Sequence, residues 1–125
     1  MEPMLMLKIS TALFAISAVG GLVMAYIRLA RSINPPAWLA MLHGLLAASG
    51  LTLLAYASFV FTVPAFANYA LVLFVVAALG GLVLNLRYQW LNQPLPVGLM
   101  IGHALLAVCG FVLMLLVVFR GDQTG

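Results

Sequence analysis

Two histidines, His43 and His103, are the only imidazoles in 125 residues, and both fall inside long apolar runs, LAMLHGLLAASG and LMIGHALLAVCG. Imidazole at such a position can ligate a metal, pass a proton or hydrogen-bond between helices. A polar ring in hydrocarbon is costly, so an imidazole there is a candidate functional group in its own right. The rest of the reactive inventory is sparse. The two acids, Glu2 and Asp122, lie outside the apolar segments, leaving no carboxylate for proton coupling and arguing against a small multidrug transporter. Cys109 stands alone in an apolar run, where a small buried hydrophobe is expected. There is no Cys-x-x-Cys-His for covalent haem attachment, no nucleophile–base pair and no phosphate loop. Enzymatic chemistry is therefore not the expectation.

The elements that must position the histidines are set by composition. The chain is 66% hydrophobic and 6% charged, whereas a soluble domain carries about a quarter of its residues as charged ones. Such a chain cannot cover a water-facing surface, so the lipid bilayer is its expected solvent. The net charge of +3 rests on five basic residues spread widely, which is no nucleic-acid footprint. Four segments reach the length of about 20 apolar residues that a bilayer crossing takes. They run approximately over 4–29, 36–62, 65–90 and 96–119, separated by Pro35-Pro36, Pro64 and Pro94-Pro96. The first is too long for a signal peptide and is read as a span. Short connections force an up-down-up-down bundle. The polar tail is 121–125.

The sequence also repeats. A gapless shift of sixty residues pairs Phe14, Ala18, Gly20 and Gly21 with identical residues at 74, 78, 80 and 81. It likewise pairs Pro36, Leu39, His43, Leu46, Ala47, Gly50 and Leu53 with identical residues at 96, 99, 103, 106, 107, 110 and 113. Repeat 1 spans 4–62 and repeat 2 spans 65–120, two tandem hairpins entering the membrane in the same direction, as parallel repeats do. Leu45 and Phe59 also match their counterparts at 105 and 119, and most of the set falls at −7, −4, 0, +3, +4, +7 and +10 from the histidine, which is one face of an α-helix. That face is expected to point inward, together with Phe14, Ala18 and Gly21 and their counterparts. His43 and His103 should then oppose one another at one depth, about 10 Å below the proline turns at 1.5 Å per residue.

Two imidazoles so opposed suit axial ligation of a porphyrin iron. Small residues would make room for the ring: Gly44, Ala47 and Gly50 on one helix, Gly102, Ala107 and Gly110 on the other, and Gly21 and Gly81 on the neighbours. Arg28 and Arg87, near the proline turns, are candidate partners for haem propionates. In these histidine–glycine faces and the four-helix plan the chain resembles membrane b-type cytochromes. That resemblance implies one non-covalent haem b per chain, ligated by His43 and His103, and electron transfer with quinone or a larger redox complex as partner. Two other readings stand beside it: a cofactor-free accessory or scaffold subunit whose histidines merely join the halves, and a (bacterio)chlorophyll-binding protein. Arg28, Arg31 and Arg87 against Lys8 and Arg120 place the proline turns in the cytoplasm and the termini outside, with a bacterial inner membrane as the expected location.

Overall fold

A computed structural model describes residues 1–120; the tail 121–125, including Asp122, lies outside the described residues. Among the described residues the chain is all-α: α1 (Pro3–Arg31), α2 (Ala37–Val60), α3 (Ala65–Val83) and α4 (Val97–Arg120). All four helices are long and apolar enough to cross a membrane, α3 together with a following helical turn that ends at Gln89. Only a small part of each span is buried in the bundle. The remainder displays large apolar side chains outward, such as Leu22 at 69% exposure and Phe59 at 84%. Water would not tolerate that surface and lipid would.

Helix boundaries follow from proline and from left-handed caps. Pro36 and Pro64 take extended backbone just ahead of α2 and α3, where a missing N–H costs nothing. Ser32 and Asn92, sixty residues apart, both take positive φ, at 55° and 54°, and so turn the chain out of the preceding helix. One boundary departs from the hydropathy pattern. The third span does not continue as an α-helix to Trp90: Leu84–Gln89 forms a π-helical turn. Trp90 N–H donates to the Asn85 carbonyl at 2.7 Å and Gln93 N–H to the Tyr88 carbonyl at 2.8 Å, each five residues back. A π turn inserts one residue into the helical repeat, so side chains beyond it are rotated relative to the corresponding positions of α1.

α1 packs most closely on α2, and α3 on α4, with looser contact between hairpins at α1–α4 and α2–α3. The buried apolar side chains form two separate clusters. One, containing Leu7, Phe14, Leu54, Phe74 and Met114, fills the half of the bundle nearer the termini, and the other, Leu84, Leu95 and Met100, lies under the proline turns. The histidines fall between them.

Candidate functional site: a histidine pair between two apolar clusters

Each histidine is placed by its own hairpin. His43 Nδ1 lies 2.7 Å from the Ser17 carbonyl of α1, and His103 Nδ1 lies 2.7 Å from the Ala77 carbonyl of α3. A carbonyl only accepts, so both Nδ1 atoms must carry the proton. In a neutral imidazole the other nitrogen then holds the lone pair, and on both rings that nitrogen is Nε2. This is the tautomer in which a backbone carbonyl orients a metal-ligating histidine.

Glycine permits the arrangement. A Cβ added to Gly21 would meet His43 Cε1 at 3.0 Å, and one added to Gly81 would meet His103 Cε1 at 3.1 Å. Each imidazole thus lies across one turn of the neighbouring helix, from the carbonyl at 17 or 77 to the glycine four residues on. A Cβ added to Gly20 or Gly80 would stand further off, 3.8 Å from the histidine Cβ.

The two rings meet across the α2–α4 diagonal with centroids 6.2 Å apart and planes at 75°. Metal–imidazole bonds of about 2.0–2.1 Å, with roughly 1.1 Å from nitrogen to ring centre, put two rings ~6.2–6.4 Å apart when their Nε2 atoms face one ion in line. The observed spacing falls in that interval. The same geometry limits what the pair can do alone. With both Nδ1–H groups committed to carbonyls, neither neutral ring has a proton to donate to the other. Among the described residues no three His, Cys, Asp or Glu side chains come together as a metal-binding group, so none of these side-chain types joins the histidines as a third ligand there.

The other residues singled out in the sequence scatter around this pair. Gly21 and Gly81 contact the rings, as described. Ala47 and Ala107 are half-buried on the histidine faces of α2 and α4, whereas Gly44 and Gly102 are exposed, with open space where a Cβ would be. Gly50 and Gly110 are buried against phenylalanine instead of leaving open space: an added Cβ would meet Phe14 at 3.2 Å and Phe74 at 3.0 Å, respectively. Those two phenylalanines stack across the α1–α3 diagonal, centroids 3.9 Å apart, and occupy the slab on the membrane-centre side of the histidines. Arg28, half-buried, donates from Nε to the Leu95 carbonyl at 3.0 Å. Arg87 is exposed, its guanidinium 5.4 Å from the Tyr88 ring centroid. Ala18, placed inward by the repeat, is exposed.

Ser17 is the site residue that spacing did not find. It is 3% exposed; its hydroxyl donates to the His43 carbonyl at 3.0 Å and lies 3.1 Å from His43 Nδ1. Its counterpart sixty residues on is Ala77, so the match that flagged the other positions passes it by. The second histidine has its own peculiarity. A groove of about 420 Å³ on the outer side of α3 and α4 reaches His103 past Gly80, Gly98 and Gly102. The positions matching Gly98 and Gly102 in repeat 1 are Trp38 and Leu42.

No protein-family model matches the chain, and no curated protein or solved structure matches it either.

Proposed function

We propose that the chain is an integral membrane protein that binds one haem b between His43 and His103 and carries single electrons to and from a membrane partner such as quinone or a larger redox complex. The observation that carries this reading is the paired tether. Both imidazoles are pinned through Nδ1–H to helix carbonyls, which leaves Nε2 as the lone-pair nitrogen of each neutral ring, and their centres stand 6.2 Å apart. Two imidazoles alone make a poor cage for a free ion. They would suit a metal that brings its other ligands with it, as the iron of a haem does.

In this reading the residues have distinct tasks. Ser17 and Ala77 fix ring orientation and tautomer through their carbonyls. Gly21 and Gly81 let the rings approach the neighbouring helices, and the flanking apolar clusters keep water away. Arg28 is the half-buried cation toward the proline turns and the propionate partner. Held by His43 and His103, a haem would supply one-electron chemistry. The arginines at 28, 31 and 87 favour proline turns facing the cytoplasm. The Phe14–Phe74 stack is the observation that favours the competing reading, a cofactor-free subunit, because it takes up space beside the histidines. Absorption spectra of the purified protein, oxidised and then reduced with dithionite, separate the two. A Soret band with sharp α and β bands is expected, and a cofactor-replete preparation without them would overturn the haem reading.

A further inference from the structure

The two proline turns are fastened to each other by side chains that reach across hairpins. Arg28, at the end of α1, donates to the Leu95 carbonyl at 3.0 Å; Gln89, at the end of the π turn, donates to the Pro35 carbonyl at 2.7 Å. Positions 35 and 95 are sixty residues apart, and both residues are buried. Position 89 is one residue beyond the match to 28, an offset of the same size as the single residue the π turn inserts. Each turn therefore offers a buried residue whose carbonyl is held by the opposite hairpin. Asn34 adds a contact with no counterpart, since Pro94 stands at the matching position. Its Nδ2 donates to the Gln93 carbonyl at 2.7 Å and its Oδ1 accepts from Leu95 N–H at 3.0 Å.

Leu95 is the residue on which these bonds converge. Pro94 and Pro96 flank it, which keeps it out of a helix, yet its N–H and C=O are both taken by hairpin 1. Its side chain is 7% exposed and packs with Leu84 and Met100. Met100 and Leu84 lie one helical turn from His103 and Gly81, toward the proline turns. The cluster that Leu95 completes therefore stands between the histidine layer and the polar end of the bundle.

We propose that Asn34 and Arg28 are positioning residues that hold Leu95 as a plug, closing the proline-turn end of the histidine layer to water. Its importance for a redox site rests on the haem reading; the plug itself rests on the hydrogen bonds. The test reads water access directly. In a Cys109→Ala background, Met100→Cys places a thiol under the plug and Met114→Cys places one in the other cluster, both probed in the detergent-solubilised full chain with a charged, membrane-impermeant maleimide. With Asn34 intact, both thiols should resist labelling. Asn34→Ala should raise the rate at position 100 about tenfold, since two hydrogen bonds opposing a local opening are lost, and leave position 114 protected. Asn34→Asp, which keeps the acceptor for Leu95 N–H, should fall between. Fast labelling at 100 with Asn34 intact, an unchanged rate in Asn34→Ala, or equal gains at 100 and 114 would each overturn the plug. Because the readout needs no cofactor, a plug that behaves as expected in a protein without a haem spectrum would sink the haem reading alone.

Discussion

The hairpin of α1 and α2 and the hairpin of α3 and α4 hold the same histidine by the same tether, but the interfaces around the tethers differ in kind. In the first, Ser10, Thr11 and Ser17 are buried. Ser10 donates to the Gly50 carbonyl at 2.7 Å, and Ser17 binds the His43 main chain. In the second, the corresponding residues are Ala70, Leu71 and Ala77, which bring no hydroxyl, and the tether from His103 Nδ1 to the Ala77 carbonyl at 2.7 Å stands without a serine beside it. Outside, Gly98 and Gly102 line a groove that reaches His103, and the matching positions of the first hairpin carry Trp38 and Leu42. What the hairpins share is therefore the minimum needed to seat the imidazole: a carbonyl one helical turn before a glycine, and a phenylalanine beyond it. Serine hydroxyls are an addition on one side. Both rings are oriented by backbone carbonyls, which a change of side chain at 17 or 77 leaves in place.

The shared and unshared parts can be broken separately. The largest effect is expected from Gly21→Ala and Gly81→Ala, which drive a methyl to within about 3 Å of an imidazole carbon. Each ring must then give by a few tenths of an ångström against its carbonyl tether, at a cost of about 1–3 kcal/mol. Thermal unfolding with and without added haemin should show equal damage from the two variants, and a large inequality would break the symmetry of the site. Gly20→Ala and Gly80→Ala, at 3.8 Å, are the tolerated controls.

Next come Gly50→Ala and Gly110→Ala. A Cβ added at Gly110 would meet three Phe74 ring atoms at 3.0–3.2 Å, and one at Gly50 would meet Phe14 and the Ser10 carbonyl at 3.2–3.3 Å. Both should lower stability with little direct effect on the histidines, which separates the phenylalanine slab from the site. Ser17→Ala is expected to be the mildest, about 0.6 kcal/mol as for other hydrogen bonds between membrane helices. It should leave His43 on its carbonyl tether. Ala77→Ser should make hairpin 2 resemble hairpin 1, with a gain of similar size at most. A Ser17→Ala variant that loses ligand binding altogether would show that the hydroxyl, not the carbonyl, holds His43.

Much of this was legible in the residues. Hydropathy and proline positions gave the four helices, and the sixty-residue match put His43 and His103 on facing helices. The π turn was not legible, because inserting one residue leaves hydropathy unchanged. Ala18 matched its counterpart yet is exposed, since identity between two alanines in an apolar chain carries little positional information. Gly50 and Gly110 show a deeper limit. Spacing says that a face has room but not what fills it, and phenylalanines from the neighbouring helices do. Ser17 escaped because a repeat reveals what two halves have in common, and its hydroxyl occurs in one.

The most direct test compares the oxidised and dithionite-reduced spectra of His43→Ala and His103→Ala with those of the unaltered chain reconstituted with haemin. If the two imidazoles share one iron, each single variant loses the low-spin, six-coordinate spectrum, and it does so whichever hairpin is altered. A low-spin spectrum that survives either substitution would contradict the shared site.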